Sequence, residues 1–199
     1  LKALCGGDVL SRKLADQLLE RVGCLWNMYG PTETTIWSSI SEVQPGNAPI
    51  TIGNPIANTQ MYILDAWLHP MPVGVVGELY IGGEGLAEGY LHQPQLTSEK
   101  FIPDCFSRHP GARLYKTGDH ARYLPDYAIE LLGRMDDQVK VNGNRIELGE
   151  ITAVLMQHPA IQGAVAIAHT EHSGDKRLIA YYVPKPDQPP EMASLQDFL

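Results

Sequence analysis

The stretch NMYGPTETTIWSS, residues 27–39, decides the fold of this chain. It begins within CLWNM, 24–28, a short apolar run typical of a buried strand, and Gly30-Pro31 turns the chain directly afterwards. Three threonines and one carboxylate, Glu33, follow the turn. Hydroxyls and backbone N–H groups can meet phosphate oxygens, and a carboxylate can share Mg²⁺ with a phosphate. A Gly-Pro turn with hydroxyls can equally be a helix cap, and the turn alone does not decide between the two.

Working outward, residues 2–28 predict strand, helix and strand. Ser11 can cap a helix whose apolar residues follow the helical period, and Gly23 can end it. Two loops, GGD at 6–8 and YGPTETT at 29–35, both follow strands. Ligands of open α/β sheets bind at such strand ends. We therefore expect an α/β layer with a candidate site at these two loops.

The residue pattern of the sequence changes near residue 50 and again near residue 137. Short β-rich runs with Gly and Pro between 50 and 133 predict a small β-barrel-like subdomain, with helical signals near 84–90 and 94–101. From about residue 137, QVKV and NRIE flank a hairpin turn at 142–144, LGEITAVLMQ is helical, and GAVAIAH and RLIAYYV alternate like strands. We expect one α/β and β-rich part over 1–135 and a compact α+β unit over 136–199. Ser194 could cap one more helix.

Composition and charge exclude several classes of protein. The 199 residues are 44% hydrophobic and 19% charged, as in ordinary globular proteins, and no apolar run approaches the roughly 20 residues that cross a bilayer. The net charge of -8 argues against a nucleic-acid partner. Cysteines 5, 24 and 105 are too widely spaced for a zinc or redox motif, which fits a reducing cytoplasm, and the scattered histidines predict no metal site.

Two further motifs carry candidate chemistry. YKTGD at 115–119 places an acid after a Gly turn, where it could bind the two hydroxyls of a ribose. GRMDDQVKVNGNRIELGEI at 133–151 packs acids and cations around a turn at the predicted boundary. Each has a simpler interpretation, since TGD alone means little and a charged hairpin holds surface ion pairs worth about 0 to 1 kcal/mol.

The order and spacing of these motifs resemble one family. NMYGPTETT, GELYIGGEGLAEGY, YKTGD and GRMDDQVKVNGNRIELGEI together resemble the adenylation domains of nonribosomal peptide synthetases, in the superfamily of acyl-CoA synthetases and luciferases. The resemblance covers nearly the whole chain. It implies the end of the large adenylate-forming core, an α/β layer plus a small β-barrel-like subdomain, followed by a small mobile α+β C-terminal subdomain. Both termini look like cuts within a longer domain.

The resemblance implies a ligase activity and its partners. An amino acid would react with ATP and Mg²⁺ to give an aminoacyl-adenylate, and the acyl group would pass to the phosphopantetheine thiol of a peptidyl carrier domain beside other synthetase domains, in the cytoplasm. The family's phosphate loop would lie upstream of residue 1 and its catalytic lysine beyond residue 199. The 199 residues alone are therefore not expected to make adenylate.

The resemblance also implies roles for single residues. Asn27 would bond the adenine amino group, Tyr29 would stack on the base, and Asp119 would hold the ribose hydroxyls. Thr32, Glu33 and Arg134 are the catalytic candidates, with Thr32 at the α-phosphate, Glu33 as metal ligand and Arg134 near ribose or phosphate. The full set of expected nucleotide-binding residues is Gly7, Asp8, Asn27, Met28, Tyr29, Gly30, Thr32, Asp119, Leu131, Arg134 and Lys140.

Further residues are implied for the amino acid and for the carrier. Asp136 matches the hinge of the small subdomain, and Gly143 matches the glycine that lets the pantetheine arm pass. The wall of the amino-acid pocket would consist of Leu4, Gly6, Met28, Ile36 and Trp37. Such bulky residues favour the smallest substrate, because overpacking typically costs about 1 to 3 kcal/mol. We expect glycine, with alanine second.

Three positions depart from the family pattern. Leu131 stands where many members place an aromatic ring, Tyr127 replaces the glycine of a PDG turn, and Asn142 replaces a common Arg. Two alternatives to a peptide synthetase stay open. One is a stand-alone acyl- or aryl-acid CoA ligase of the same superfamily, and the other is a non-catalytic scaffold with this fold.

Overall fold

The chain forms two compact units in the computed structural model. The structure describes residues 1–141, 144–170, 176–186, 190, 195 and 198. The first unit runs from Leu1 to Met135 and the second from Asp136 to Leu199. Whether the second unit turns about Asp136 stays a prediction.

The first unit opens with a small α/β layer. Strand β1 (Lys2–Gly6), helix α1 (Arg12–Leu19) and strand β2 (Cys24–Tyr29) follow one another, and β1 pairs with β2 in parallel. A 3₁₀ turn, Thr32–Thr34, leads into β3 (Ser39–Glu42) and then β4 (Asn54–Pro55), which complete a sheet in the order β1-β2-β3-β4. The helix covers this sheet because its buried residue Ala15 packs with Leu10, Leu25 and Val43 in one core.

A second sheet is built around one long strand. It contains β5 (Thr59–Leu64), β6 (Gly77–Gly83), β7 (Phe101–Pro103), β8 (Arg113–Tyr123) and β9 (Ile129–Arg134), with helix α2 (Pro94–Lys100) before β7. Strand β6 pairs with one edge of β8, while β7 and β9 pair in succession along its other edge. Two short strands can share that edge because β8 is 11 residues long. The strands bury alternate side chains in a common core with Tyr29.

The described part of the second unit combines one helix with two pairs of antiparallel strands. Strands β10 (Gln138–Val141) and β11 (Asn144–Glu147) are antiparallel, helix α3 (Leu148–Gln157) follows, and β12 (Ile161–Thr170) pairs antiparallel with β13 (Lys176–Pro184). Leu155 of α3 packs on Ile161 in the core of this unit.

The predicted fold class is confirmed, with two local corrections. Residues 84–90 are not helical, because four glycines lie at 82, 83, 85 and 89, and Gly83 and Gly89 have φ of 116° and 150°. Ser11 caps α1 as predicted, but the helix ends at Leu19, before Gly23. The predicted cap at Ser194 lies outside the described residues. No helix in the described part of the chain is long and apolar enough to cross a membrane.

Candidate functional site

The threonine-rich turn is folded back on itself by its own polar groups. Ser38 N donates to Tyr29 O at 2.8 Å, and the hydroxyls of Thr34 and Ser38 lie 2.6 Å apart. Gly30 is required here, because a Cβ at this position would overlap the carbonyl oxygen of Ile36. The turn places Thr32 and Glu33 directly after the carboxyl end of β2.

Three predicted site residues from separate segments meet in one hydrogen-bonded cluster. The Tyr29 hydroxyl donates to Asp119 Oδ2, and Arg134 Nη1 donates to Asp119 Oδ1 at 3.0 Å and to Thr117 O at 2.8 Å. Burial, together with the Asp119 charge and its hydrogen bond, raises the pKa of Tyr29 well above its usual range. The hydroxyl therefore remains a donor to the carboxylate at neutral pH.

A bulge in β8 sets the position of Asp119. The pairing of β6 with β8 shifts register between Glu78 and Tyr80, and Gly118 has φ of 75°. The Glu78 carboxylate, 7% exposed, accepts a hydrogen bond from Gly118 N at 3.0 Å. On the other side of the bulge, Asp119 and Arg134 are directly paired across β8 and β9. A short sequence motif thus acquires its geometry from a buried acid on the neighbouring strand.

Glu33 is a buried carboxylate with a tyrosine partner. It is 9% exposed, and the Tyr90 hydroxyl donates to its Oε1 at 2.7 Å. The described residues contain no group of three or more His, Cys, Asp or Glu that could hold a metal ion. A single hard oxygen donor suits Mg²⁺ bound mainly by phosphates and water, so the residues present fit that ion.

The remaining predicted nucleotide residues of the first unit lie on the strands of the same two sheets or directly after them. Gly6 pairs with Met28, so the loop with Gly7 and Asp8 follows β1 at the edge where the threonine-rich turn follows β2. Asn27 is buried and donates from Nδ2 to Thr51 O at 2.8 Å. Leu131 packs against the core that contains Tyr29.

The predicted pocket wall includes one close contact. A Cβ on Gly6 would overlap Cη2 and Cζ3 of Trp37, so the indole ring lies over the backbone at the end of β1. Ile36 has a left-handed φ of 70°, which is unusual for a β-branched residue, and it belongs to neither a helix nor a strand. Leu4, Ile36 and Trp37 are all exposed, whereas Met28 is half-buried.

Three predicted residues belong to the second unit or lie outside the described part. Asp136 Oδ1 accepts a hydrogen bond from Gln138 N at 3.3 Å, and Lys140 pairs with Arg145 across the β10-β11 hairpin. Gly143 lies outside the described residues.

Comparisons with known proteins agree with this arrangement. The family model described as AMP-binding enzyme matches residues 1–91. The dimodular nonribosomal peptide synthase of Bacillus subtilis (strain 168) is 50% identical over 184 residues, which are 92% of this chain and 8% of that synthase. The chain thus spans a small part of the length of such relatives. Residues 1–91 thus resemble the AMP-binding enzymes.

Solved structures with adenylation domains are similar to this chain. A nonribosomal peptide synthetase protein with adenylation and PCP domains, bound to a vinylsulfonamide inhibitor, gives a TM-score of 0.88 at 31% identity over 98% of this chain and 35% of that chain. A four-domain nonribosomal peptide synthetase bound to AMP and glycine gives 0.65 at 46% identity over 98% of this chain and 14% of that chain. The resemblance to the adenylation domains of peptide synthetases is confirmed.

The sequence analysis did not identify two residues of the site. Glu78 and Tyr90 lie in the quoted motif GELYIGGEGLAEGY, but neither was singled out. Their partners, Gly118 and Glu33, are 40 and 57 residues away along the chain. No local sequence pattern predicts such pairs, because residue spacing predicts contacts only within one helix or strand.

Proposed function

We propose that this chain is part of a nonribosomal peptide synthetase adenylation domain, an amino-acid adenylating ligase. The observation that carries the proposal is the convergence of Tyr29, Asp119 and Arg134 beside the turn that bears Thr32 and Glu33. A tyrosine ring, a carboxylate and a guanidinium are suited to a base, a ribose and a phosphate respectively. The match of residues 1–91 to the AMP-binding enzyme family supports the same conclusion.

We assign the nucleotide contacts as follows. Asp119 accepts hydrogen bonds from the ribose hydroxyls, since each carboxylate oxygen has two lone pairs and one is already used by Tyr29 or Arg134. Adenine lies between Tyr29 and Leu131, with Asn27 Oδ1 accepting from its amino group. Gly7, Asp8, Met28 and Gly30 supply the surrounding backbone of the first unit, and the resemblance adds Lys140 to the proposed nucleotide-binding residues.

The reaction proposed for the complete domain is amino-acid activation. The substrate carboxylate attacks the α-phosphorus of ATP, pyrophosphate leaves, and an aminoacyl-adenylate forms. Thr32 and Arg134 donate hydrogen bonds to phosphate oxygens, which offsets charge as it develops. Glu33 would hold Mg²⁺, which supplies further neutralisation of the phosphates when bound.

We propose glycine as the amino acid, with alanine second. The ring of Trp37 fills the space above Gly6, so a substrate side chain directed there would overlap it. Leu4, Met28 and Ile36 would complete the wall. The solved synthetase bound to AMP and glycine, at 46% identity, supports this assignment.

The acyl group is then proposed to pass to a carrier domain. The phosphopantetheine thiol attacks the acyl carbonyl, a thioester forms, and AMP leaves. Asp136 would be the hinge for the second unit and Gly143 would border the path of the arm. The solved neighbours that contain PCP domains support a carrier partner. We place the complete enzyme in the cytoplasm.

Amino-acid-dependent pyrophosphate exchange by the full-length protein tests the proposal. We expect exchange with glycine, weaker exchange with alanine and background exchange with leucine. Asp119→Asn should raise the KM for ATP about tenfold or more, because a charge-assisted hydrogen bond is worth about 1.5 to 3 kcal/mol. Asp126→Asn, in an exposed turn of the same unit, is the matched control.

Three outcomes would contradict parts of this proposal. A preference for leucine would exclude the glycine pocket. Exchange with an aryl or fatty acid, followed by transfer to coenzyme A, would identify a stand-alone acyl ligase. Absence of ATP binding by the full-length protein would identify a scaffold.

A further inference from the structure

The Glu33 carboxylate is held by a residue from a distant segment of the first unit. Glu33 lies in the 3₁₀ turn after β2, and Tyr90 lies 57 residues later, between β6 and α2. The Tyr90 hydroxyl donates to Glu33 Oε1 at 2.7 Å. Because the carboxylate is 9% exposed, this contact replaces hydration that a surface glutamate would have.

The backbone of the same segment is bonded to the same turn. Thr35 Oγ1 donates to Gly85 O at 2.7 Å, and Ala87 N donates to Glu33 O at 2.9 Å. Three hydrogen bonds therefore join residues 85–90 to residues 33–35. Residues 85–90 therefore hold both the carboxylate and the backbone carbonyl of Glu33.

Tyr90 is itself firmly placed. Its backbone N–H donates to Thr97 Oγ1 at 2.9 Å, and its ring meets the edge of Phe101 at a centroid distance of 5.7 Å. Arg113 donates to the carbonyl oxygens of Ala87 and Glu88 at 2.9 and 2.8 Å, which anchors the preceding loop. These contacts fix the Tyr90 ring, so its hydroxyl lies in a defined position beside Glu33.

The Tyr90 hydroxyl is the donor in its contact with Glu33, because an ionised carboxylate offers only acceptor oxygens.

We propose that Tyr90 is a positioning residue that orients Glu33 toward the Mg²⁺ and phosphates of ATP. This inference rests on the proposed function, which makes Glu33 the metal ligand. A glutamate has several rotamers, and a hydrogen bond to one carboxylate oxygen selects among them before the ligand arrives. The role is separable from folding, because the Tyr90 ring already packs on Phe101 without its hydroxyl.

The test is Tyr90→Phe in the full-length protein, with ATP binding measured by calorimetry in excess Mg²⁺ and in EDTA. We expect ATP binding to weaken about tenfold in Mg²⁺, as for other residues that orient a metal ligand, and to change less than about twofold in EDTA. The Mg²⁺ concentration for half-maximal pyrophosphate exchange should rise by a similar factor. An equal loss of ATP affinity with and without Mg²⁺ would mean a merely structural role and would overturn the inference.

Two further variants sharpen the result. Tyr123→Phe also removes a hydroxyl hydrogen bond, to Met61 O at 3.3 Å, and should leave the Mg²⁺ dependence unchanged. In a Glu33→Gln background, Tyr90→Phe should have less than about twofold further effect on binding in Mg²⁺, because its action passes through Glu33. A full additional tenfold loss there would refute that route.

The outcomes also distinguish a failure of the positioning role from a failure of the proposed adenylating function. Suppose that the unaltered protein binds ATP more tightly in Mg²⁺ than in EDTA, and that Tyr90→Phe shows the same ratio of affinities. The positioning role of Tyr90 is then wrong, while the proposed function stands. If the unaltered protein binds no ATP in either condition, the proposed function fails and the inference fails with it.

Discussion

Tyr127 occupies a backbone conformation that glycine adopts more readily. Its φ is 64°, and its N–H donates to Leu124 O at 2.8 Å within a tight turn between β8 and β9. The turn is closed further by Leu124 N, which donates to Ala128 O at 2.9 Å. The replacement of the usual glycine therefore leaves the turn formed, but at the steric cost of a Cβ in the left-handed region.

Tyr127→Gly should stabilise the protein. The left-handed conformation costs an L-residue about 1 to 2 kcal/mol, which exceeds the extra chain entropy that glycine loses on folding. The side chain is 67% exposed, so little packing is lost. We expect a gain of about 0.5 to 1 kcal/mol, seen as a higher melting temperature by calorimetry.

Ala128→Gly is the matched control for this turn. Ala128 is the next residue and has no positive φ, so glycine there should lower stability by about 0.5 to 1 kcal/mol. Equal effects at the two positions would show that the φ of Tyr127 is not the source of the strain.

At the scale of elements, strand β8 organises the candidate site. It carries Asp119 at a bulge, pairs with β6 on one edge, and meets β9 with Arg134 on the other. Glu78 of β6 bonds Gly118 N at 3.0 Å and Tyr80 OH at 3.1 Å, with Lys116 Nζ at 3.6 Å. The bulge is thus held by a buried acid with several donors around it.

Glu78→Gln should weaken both the bulge and the nucleotide site. Glutamine keeps the shape, but it loses the charge and replaces one acceptor with a donor that faces other donors. We expect unfolding free energy to fall by about 2 kcal/mol and the KM for ATP to rise several-fold. Urea unfolding and pyrophosphate exchange measure these two quantities.

An exposed acid provides the comparison for Glu78. Glu99, on α2, accepts a hydrogen bond from Gln95 at the surface, and Glu99→Gln should change stability by less than about 0.5 kcal/mol. If Glu78→Gln behaves in the same way, the carboxylate does not hold the bulge.

Elements were predictable from sequence where one local pattern decided them. Helix α1, helix α3 and the strand before Gly30 follow clear periodicity and turn chemistry, so their predictions were confirmed. Residues 84–90 resembled a helix, but their glycines populate conformations that no helix contains. The partners of Glu33 and Gly118 were not predictable in this way, because Tyr90 and Glu78 lie 57 and 40 residues away from them along the chain.

At the scale of the whole molecule, buried tyrosines make stability depend on alkaline pH. Burial is the first cause of a raised pKa at five tyrosines, all in the first unit: Tyr29, Tyr62, Tyr80, Tyr90 and Tyr123. These groups remain protonated in the folded protein when the unfolded chain has begun to lose the same protons, near pH 10. Folding stability is therefore complete below that pH and falls above it, since the folded state then binds more protons.

Tyr80→Phe should reduce this alkaline loss of stability. Tyr80 is 2% exposed, and burial followed by the charge of Glu78 raises its pKa well above the usual range. For one such tyrosine, linkage predicts a loss of about 1.4 kcal/mol of unfolding free energy between pH 8 and pH 11. Phenylalanine cannot ionise, so urea unfolding of the variant should show a decline smaller by that amount over the same range. Identical pH profiles for Tyr80→Phe and the unaltered protein would show that Tyr80 ionises as readily when folded as when unfolded.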